Sequence, residues 1–273
     1  MSSFQINTNL GALQAYNALA KINKETGTAQ LRLATQKRIN TVADDTSGYN
    51  VGKSLEGRVA VMKAAQGNVS AAKDMLATAE TSLQNINDLL NQIKAKITDA
   101  SDPTKNKDSL ANDVKALGAE ISNILSTTEF NATGLLSGSA FTSGFTFQTG
   151  HDSTDTMQLG YTSQLGAVSL SDITGATSTS VTGSTLLTAV NNAVSKVQDA
   201  LGSIGTDVQK LDIKDSYLTA AISNATSSIS RLFDADMAME QLNATKGTIA
   251  AQAATAMLSQ LNMAPQNLLS LFK

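Results

Sequence analysis

One apolar stripe constrains this chain more than any other feature of its sequence. Apolar residues between 69 and 97 recur at alternating steps of three and four; they are Val69, Ala72, Leu76, Ala79, Leu83, Ile86, Leu90, Ile93 and Ile97. This is the a/d pattern of a coiled coil, in which the stripe is buried against a partner helix. At ~1.5 Å per residue the pattern predicts a helical rod of roughly 43 Å.

Further stripes of the same period predict partners for this rod. The segment "DASDPTKNKD", which contains Pro103, predicts a turn, and the stripe after it is expected to fold back antiparallel. The period resumes near Val190, slips by one four-residue step between Ile204 and Leu211, and continues to Leu232. The seam of the coiled coil is predicted at Leu76, Leu83, Ile86, Leu90, Ile93, Leu218, Ile222 and Ile229.

The middle of the chain has a different character. Residues 130–183 are rich in Gly, Ser and Thr and contain short alternating runs such as "FTFQTG" and "MQLGY", which predict one or two β-hairpins. The predicted fold is mainly α: a long antiparallel coiled-coil helical hairpin or bundle with its N- and C-terminal helices paired, plus this small β-hairpin region. An ordinary helical bundle with a β insert is the alternative that periodicity leaves open.

Composition and motifs argue against an enzyme. The chain has no cysteine, a single histidine at position 151 and a net charge of −3, so neither a thiolate metal site nor general nucleic-acid binding is expected. The stretch "GYNVGKS" is one residue too short for a phosphate-binding loop and follows no apolar strand. His151 lies in a Gly/Ser loop and is expected to be solvated. We therefore expect no catalytic residue, cofactor or metal.

The termini contain no recognisable targeting segment. The first residues, "MSSFQINTNLGALQAYNALAK", lack the basic start and unbroken apolar core of a Sec-type signal peptide. No run of about 18 apolar residues predicts a membrane span. The four Asn-X-Ser/Thr sequences are interpreted as chance matches to glycosylation acceptors, since three of them fall in helical pattern.

Both ends of the chain resemble one protein family. The segments "INTNLGALQAYNAL", "LRLATQKRINTVADDTSGYNVG" and "SSISRLFDADMAMEQLNATKGTIAAQAATAMLSQLNMAPQNLLSL" closely resemble the two terminal regions of bacterial flagellin. In the middle, "EFNATGLLSG" is similar to the family's entry into its β-hairpins. The resemblance covers nearly the whole chain, and the middle is short enough to indicate a form without large outer domains.

The resemblance implies a layered subunit of the flagellar filament. It implies that residues 1–43 and 233–273 form an inner coiled-coil layer, disordered in the monomer, and that 44–232 form an outer helical layer. The two end segments carry opposite charge balances, with five basic residues against one acidic in the first and two against three in the second. Their implied filament-core residues are Ile6, Leu10, Leu13, Leu19, Ile249, Ala253, Leu258, Leu261, Leu268, Leu269 and Leu271.

The resemblance also assigns roles outside the core. The linker between layers would contain Arg38, Ile39, Asn40, Asp44, Asp45 and Gly48, with the two aspartates beginning the next helix and the glycine supplying a bend. O-glycosylation of the outward middle region would fall on Thr142, Ser143, Ser153, Thr154, Thr162, Ser163, Thr177, Ser178 and Thr179.

The implied partners are those of an exported filament protein. They are further copies of the chain and sibling flagellins, a flagellar export chaperone, the type III export apparatus, and the hook-associated and cap proteins, with no nucleic acid or membrane. The protein would be made in the cytoplasm, exported without a cleaved signal and located in the extracellular filament, where it serves swimming motility. A flagellin-like hook–filament junction protein, which shares similar ends, is the alternative.

Overall fold

The computed structural model describes residues 9–137, 144–160 and 170–271, and for 264–271 it describes the backbone alone. The helices of the described residues are α1 (Leu10–Thr35), α2 (Thr46–Asp99), α3 (Lys107–Thr127), α4 (Ser171–Thr174), α5 (Ser184–Phe233) and α6 (Met237–Leu271), with a 3-10 turn at Ser180–Thr182. The strands are β1 (Glu129–Phe130), β2 (Thr133–Gly134), β3 (Phe145–Gln148) and β4 (Thr156–Leu159). This mainly helical fold with two small hairpins confirms the predicted class.

The chain forms two compact units. The end unit contains residues 1–57 and 224–273, and the middle unit contains residues 58–223. Among the described residues, most of the hydrophobic core lies in the middle unit, which holds 31 of the 35 buried hydrophobic residues, against four in the end unit. The two units therefore differ in how much apolar surface each can bury by itself.

The core of the middle unit follows the apolar stripe of α2. All nine stripe positions from Val69 to Ile97 are buried, with exposed fractions of 4% or less. Of the predicted seam residues in this unit, Leu76, Leu83, Ile86, Leu90, Ile93 and Leu218 are fully buried, and Ile222 is half-buried. Ile229 is half-buried in the end unit. The period-3.5 pattern places these side chains on one helix face, which is why one stripe can supply one core.

Polar groups fix how α2 pairs with its neighbours. Lys73 Nζ lies 2.8 Å from Asp212 Oδ1 and 3.4 Å from Asp215 Oδ2, and Gln66 donates to Asp215 at 2.9 Å. The hydrogen bond to Asp212 raises the pKa of Lys73, and the hydrogen bond from Gln66 lowers the pKa of Asp215. Gln66 contacts Asp215 and Thr219, whereas Lys73, further along α2, contacts the earlier residue Asp212. The two helices therefore run antiparallel.

The turn after α2 forms from the residues that predicted it. Asp102 accepts hydrogen bonds from the backbone and hydroxyl of Thr104 at 2.9 and 2.7 Å. Asn106 then caps α3 by accepting from the backbone N–H groups of Asp108 and Ser109. Lys96 lies 2.8 Å from Asp113, so α3 returns alongside the end of α2 as expected.

The β region consists of two antiparallel pairs. Strands β1 and β2 join through Asn131 and Ala132, both of which have positive φ, as a two-residue hairpin turn requires. Strands β3 and β4 pair Phe145 with Leu159 and Gln148 with Thr156. Tyr161, the last residue of the predicted alternating run "MQLGY", lies outside the described residues.

A charge placed in the α2 stripe is expected to destabilise the protein. Leu83→Lys would bury an ammonium group at a fully buried position, at a cost of several kcal/mol in the free energy of unfolding. We expect a larger loss of thermal stability than from removal of either chain end, measured by circular dichroism. The control is Gln84→Lys, at the exposed neighbouring position. Equal melting of both variants would contradict the burial of this stripe.

Candidate assembly interface

The end unit is built around the pairing of α1 with α6. Each helix has one less exposed stripe at alternating steps of three and four. On α1 the stripe is Ala12, Ala15, Leu19, Ile22, Thr26, Ala29 and Leu33; on α6 it is Glu240, Ala244, Gly247, Ala251, Ala254, Leu258 and Leu261. The α6 stripe is mostly Ala and Gly, and a Cβ at Gly247 would overlap Thr26. Small side chains therefore let the two helices approach closely.

Polar contacts at both ends fix the register of this pair. Asn9 caps α1 by accepting from Ala12 N–H at 3.0 Å, and its amide donates to the Leu261 carbonyl at 2.9 Å. At the other end, Arg32 Nη1 lies 3.2 Å from Glu240 Oε1, and the Glu240 side chain is only 10% exposed. Low residue numbers on α1 thus meet high numbers on α6, which confirms the predicted pairing of the terminal helices.

A second apolar stripe on α6 has no partner within the described chain. Leu242, Ile249, Ala256 and Met263 recur every seven residues on the face of α6 opposite its α1 stripe, and the three large ones are 56–61% exposed. Met239 and Met257 flank them and are also exposed. Of the 15 exposed large hydrophobic side chains that the structure describes, twelve lie in the end unit. This unit consequently shows the exposed apolar surface typical of an interaction site.

The predicted filament-core residues divide between the α1–α6 contact and exposed surface of the two helices. Leu19, Leu258 and Leu261 are half-buried between α1 and α6. Ile249 and Ala253 are exposed on α6, and Leu10 and Leu13 are exposed on α1, where they are 63% and 52% accessible. The remaining predicted positions lie outside the described residues or side chains; they are Ile6, Leu268, Leu269 and Leu271.

The segments that connect the long helices cross one another in the end unit. Lys37 and Asp234 form an antiparallel bridge, Arg38 N–H donates to the Phe233 carbonyl at 2.6 Å, and Ala235 N–H donates to the Gln36 carbonyl at 3.0 Å. The Arg38 guanidinium also donates to the Leu232 carbonyl at 2.9 Å. We call residues 36–52 and 232–235 the linker node, because hydrogen bonds tie both connections together there.

The two aspartates of the linker node have separate structural tasks. Asp45 precedes α2 and accepts from Gly48 N–H at 2.8 Å, as an N-cap does. Asp44 accepts from the backbone N–H groups of Asn40 and Thr41, and these bonds lower the pKa of its carboxyl. Ile39 is 1% exposed, and a Cβ at Gly48 would crowd its side chain.

Sequence reasoning missed the central side chain of this node. Phe233 is 2% exposed and lies directly over Gly52, so that a Cβ there would overlap the ring. Tyr49 meets the same ring edge-on at 6.1 Å, and the Lys37 ammonium lies 5.5 Å from its centroid. The signal in the sequence was the spacing of Gly48 and Gly52, which puts two glycines on one helix face and leaves room for a large residue.

The loop between β3 and β4 brings titratable groups together in the middle unit. His151 Nε2 lies 2.9 Å from the Arg58 guanidinium and 3.4 Å from Asp152 Oδ2, and its Nδ1 lies 3.9 Å from Asp155 Oδ2. The expectation of a solvated histidine was incomplete, because its side chain is only 26% exposed. The imidazole of His151 and the carboxylates of Asp152 and Asp155 lie close enough together to bind one cation. The positive charge of Arg58, next to the imidazole, disfavours a metal ion there.

The predicted modification sites that the structure describes are at the surface. Ser153 and Thr154 are exposed in the β3–β4 loop, Thr177 and Thr179 are exposed before the 3-10 turn, and Ser178 is half-buried. Thr142, Ser143, Thr162 and Ser163 lie outside the described residues. In the described part of the chain, no helix combines the length and apolarity needed to cross a membrane.

Comparison with known families decides the identity of this architecture. The model of the bacterial flagellin N-terminal helical region matches residues 6–142, and the model of the C-terminal helical region matches residues 187–272. The chain belongs to the bacterial flagellin family. This is a family of structural proteins, so the chain is a structural subunit of a flagellar filament outside the cell. The 44 residues between the matched regions leave no large outer domain, which confirms the predicted short form.

Individual flagellins align along nearly the whole chain. The chain is 27% identical to the flagellin of Bacillus subtilis (strain 168), over 98% of the chain and 100% of that protein. It is also 27% identical to flagellin FljK of Caulobacter vibrioides, over the full length of both. A crystal structure of Bacillus cereus flagellin aligns at 26% identity with a TM-score of 0.45, over 56% of this chain and 88% of that one.

The packing of Phe233 on Gly52 predicts opposite effects for two alanine substitutions in α2. Gly52→Ala would force the ring or the helix to move and is expected to cost about 1–3 kcal/mol in unfolding free energy. Gly57→Ala is the matched control, since nothing lies near a Cβ there, and it should stabilise the helix by about 0.5–1 kcal/mol.

Thermal unfolding measures both effects, and amide hydrogen exchange at Arg38 and Ala235 shows whether the linker node opens. Faster exchange of these two amides in Gly52→Ala alone is the expected result. If both variants are stabilised to the same degree, the close contact between Phe233 and α2 is wrong.

Proposed function

We propose that this chain builds the core of the flagellar filament by pairing the second stripe of α6 with α1 or α6 of neighbouring copies. The observation that carries the proposal is that Leu242, Ile249 and Met263 recur at heptad spacing on the face turned away from α1. A heptad stripe is a surface for another helix. Because the other face of α6 already packs on α1, we infer that this stripe is buried against a further chain.

The energetics favour burial of this stripe in a polymer. Burying apolar surface contributes roughly 25 cal/mol per Å², and the exposed Leu, Ile and Met side chains are spread along six turns of α6. The two stripes of α6 lie on opposite faces, so α6 can pack on α1 of its own chain and still offer its second face to a neighbouring copy. Contacts between unlike surfaces that do not close into a ring generate a helical filament.

The inner layer in this proposal consists of residues 1–43 and 233–273, and the outer layer of 44–232. The linker node supports this boundary, because the connections that cross there join α1 to α2 and α5 to α6. The free end helices are expected to be marginal, since most helical stability comes from packing. We therefore infer that their final order arises during assembly.

Export and location follow from the same role. We infer that the chain leaves the cytoplasm through the flagellar type III apparatus with an export chaperone, and meets cap and hook-associated proteins at the growing filament. The lack of cysteine suits passage of an unfolded chain through an oxidising exterior, because no disulfide can trap it. Filament function in swimming motility requires neither catalysis nor a cofactor, nucleic acid or membrane contact.

A hook–filament junction protein is the alternative assignment. The matches to flagellins over nearly full length favour a filament subunit instead. The two roles differ in where the protein is found along the flagellum. Immunogold labelling should mark the whole filament, whereas labelling confined to its base would support the junction role.

Removal of either chain end is expected to abolish polymerisation without unfolding the rest. Deletion of 1–20 or 254–273 takes away part of the α1–α6 pair but leaves the middle unit, which holds most buried hydrophobic residues. The truncated proteins should remain soluble and cooperatively folded by circular dichroism, and electron microscopy after seeding should show no filaments. Filaments of parental width from either truncation would contradict the proposed core.

A point variant tests the second stripe of α6 without removing the helix or its contact with α1. Ile249→Ser should raise the protein concentration needed for polymerisation, because it removes an exposed apolar contact and leaves the α1 face intact. Thr248→Ser, at the exposed neighbouring position, is the control and should polymerise like the parent. Both variants should retain parental helix content as monomers.

We further propose that the middle region carries O-linked glycans in the source cell. Ser153, Thr154, Thr177 and Thr179 support this, since each is exposed outside the long helices and accessible to a transferase. Ser and Thr also suit turns for purely conformational reasons. Intact-mass measurement of shed filaments should therefore show added mass that peptide mapping assigns to 137–184. The mass of the bare chain, or glycans confined to 55–125, would overturn the proposal.

A further inference from the structure

The exposed sulfur atoms of the described chain are concentrated on α6. The chain has eight methionines and no cysteine, so every sulfur atom belongs to a thioether. In the described residues, Met62 and Met75 on α2 are only 5% exposed, and Met157 on β4 is half-buried. The methionines of α6 are 41–61% exposed; they are Met237, Met239, Met257 and Met263. A reagent that attacks thioethers from solvent therefore reaches α6 first.

Three of these side chains lie on or beside the second stripe of α6. Met263 belongs to the stripe, and Met239 and Met257 flank it on one side, since they are separated by about five helical turns. Met237 differs, because it precedes Glu240 of the α1 stripe by three residues and lies on that side of the helix. We call Met239, Met257 and Met263 the thioether surface.

We propose that the thioether surface is an oxidation site, at which peroxide converts methionine to methionine sulfoxide in the free chain and thereby prevents polymerisation. The inference rests on the proposed function, since it requires a polymer whose growth oxidation can stop. The rate of oxidation at each methionine, however, can be measured on the free chain alone.

The reaction consumes one hydrogen peroxide molecule for each thioether. A lone pair of the sulfur attacks one peroxide oxygen, and the O–O bond breaks as the S–O bond forms. The departing hydroxide takes the proton of the transferred hydroxyl and leaves as water, so the sulfur loses the two electrons that the peroxide gains. Cysteine thiolates are absent from this chain and cannot consume the oxidant first. Methionine sulfoxide reductases reverse the change.

Oxidation at this surface is expected to affect association rather than folding. In the free chain the sulfoxide groups remain in water, because their side chains are exposed. Packing of another helix on the second stripe would remove water from a polar sulfoxide without supplying a hydrogen bond, which is unfavourable. The free chain is therefore the sensitive state, and the contacts proposed for the filament would shield the same sulfur atoms.

Peptide mapping of the peroxide-treated free chain tests the selectivity. Mass spectrometry follows the gain of one oxygen atom at each methionine of the full-length protein. Met239, Met257 and Met263 should be oxidised several-fold faster than Met62 and Met75, which serve as internal controls because they are buried. Equal rates at these five positions would overturn the inference, whether or not the chain polymerises.

Seeded polymerisation tests the consequence. The peroxide-treated parent should keep its helix content by circular dichroism but need a several-fold higher concentration to extend untreated seeds. Methionine sulfoxide reductases of both stereospecificities should restore the original concentration. The matched control combines Met239→Leu, Met257→Leu and Met263→Leu, which keeps the surface apolar and retains Met237. This variant should polymerise equally well with and without peroxide treatment.

The outcomes distinguish the oxidation site from the proposed function. A treated parent that polymerises at the untreated concentration would overturn the inference, and so would an equal loss of polymerisation in the treated leucine variant. The reductase measurement uses the parent alone, so failure to recover polymerisation after the sulfoxides are removed would also overturn it. An untreated parent that does not polymerise would contradict the proposed function, and this inference with it.

Discussion

The close packing of α1 on α6 is the interaction on which the proposed assembly of this flagellin depends. Ala and Gly side chains on α6, with Gly247 against Thr26, let the helices approach on one face. That choice places the larger residues Leu242, Ile249 and Met263 on the opposite face, where the described chain offers them no partner. We propose that this second stripe is covered by a helix of another chain, because a heptad stripe is a surface suited to packing against a helix.

The middle unit, unlike the end unit, covers most of its large apolar side chains within the chain. Its long helices bury nearly every position of one stripe, and the Lys73–Asp212–Asp215 contacts hold α5 on α2 where that stripe is interrupted. Such a unit can fold within one chain, because its apolar surface is covered internally. We therefore propose that the middle unit supplies stability and that the exposed apolar surface of the end unit drives association.

Much of this organisation could be predicted from sequence, for reasons that particular residues illustrate. The nine-residue stripe from Val69 to Ile97 determines a buried helix face, since only a 3.5-residue period keeps such positions aligned. Asp45 could be assigned as a helix start from its residue type and place. The burial of the predicted seam positions on α2 follows from the same pattern.

Other features depend on packing between residues distant in sequence and could not be read in advance. Phe233 lies over Gly52 across about 180 residues of chain, and no local pattern reports that contact. The pairing of His151 with Arg58 changes a presumed solvent-facing histidine into a half-buried one. The exposure of Ile213 and Tyr217 on α5 could not be recognised until the structure showed which side of the helix faces α2.

Hydrogen exchange of α6 tests the central claim most directly. Amides of residues 237–263 are measured by mass spectrometry in the free chain and in seeded filaments under the same conditions. If the second stripe of α6 is buried by neighbouring copies, these amides should exchange quickly in the free chain and far more slowly in the filament, because local opening then requires loss of intersubunit contacts. Equal exchange of α6 in the two states would contradict the account.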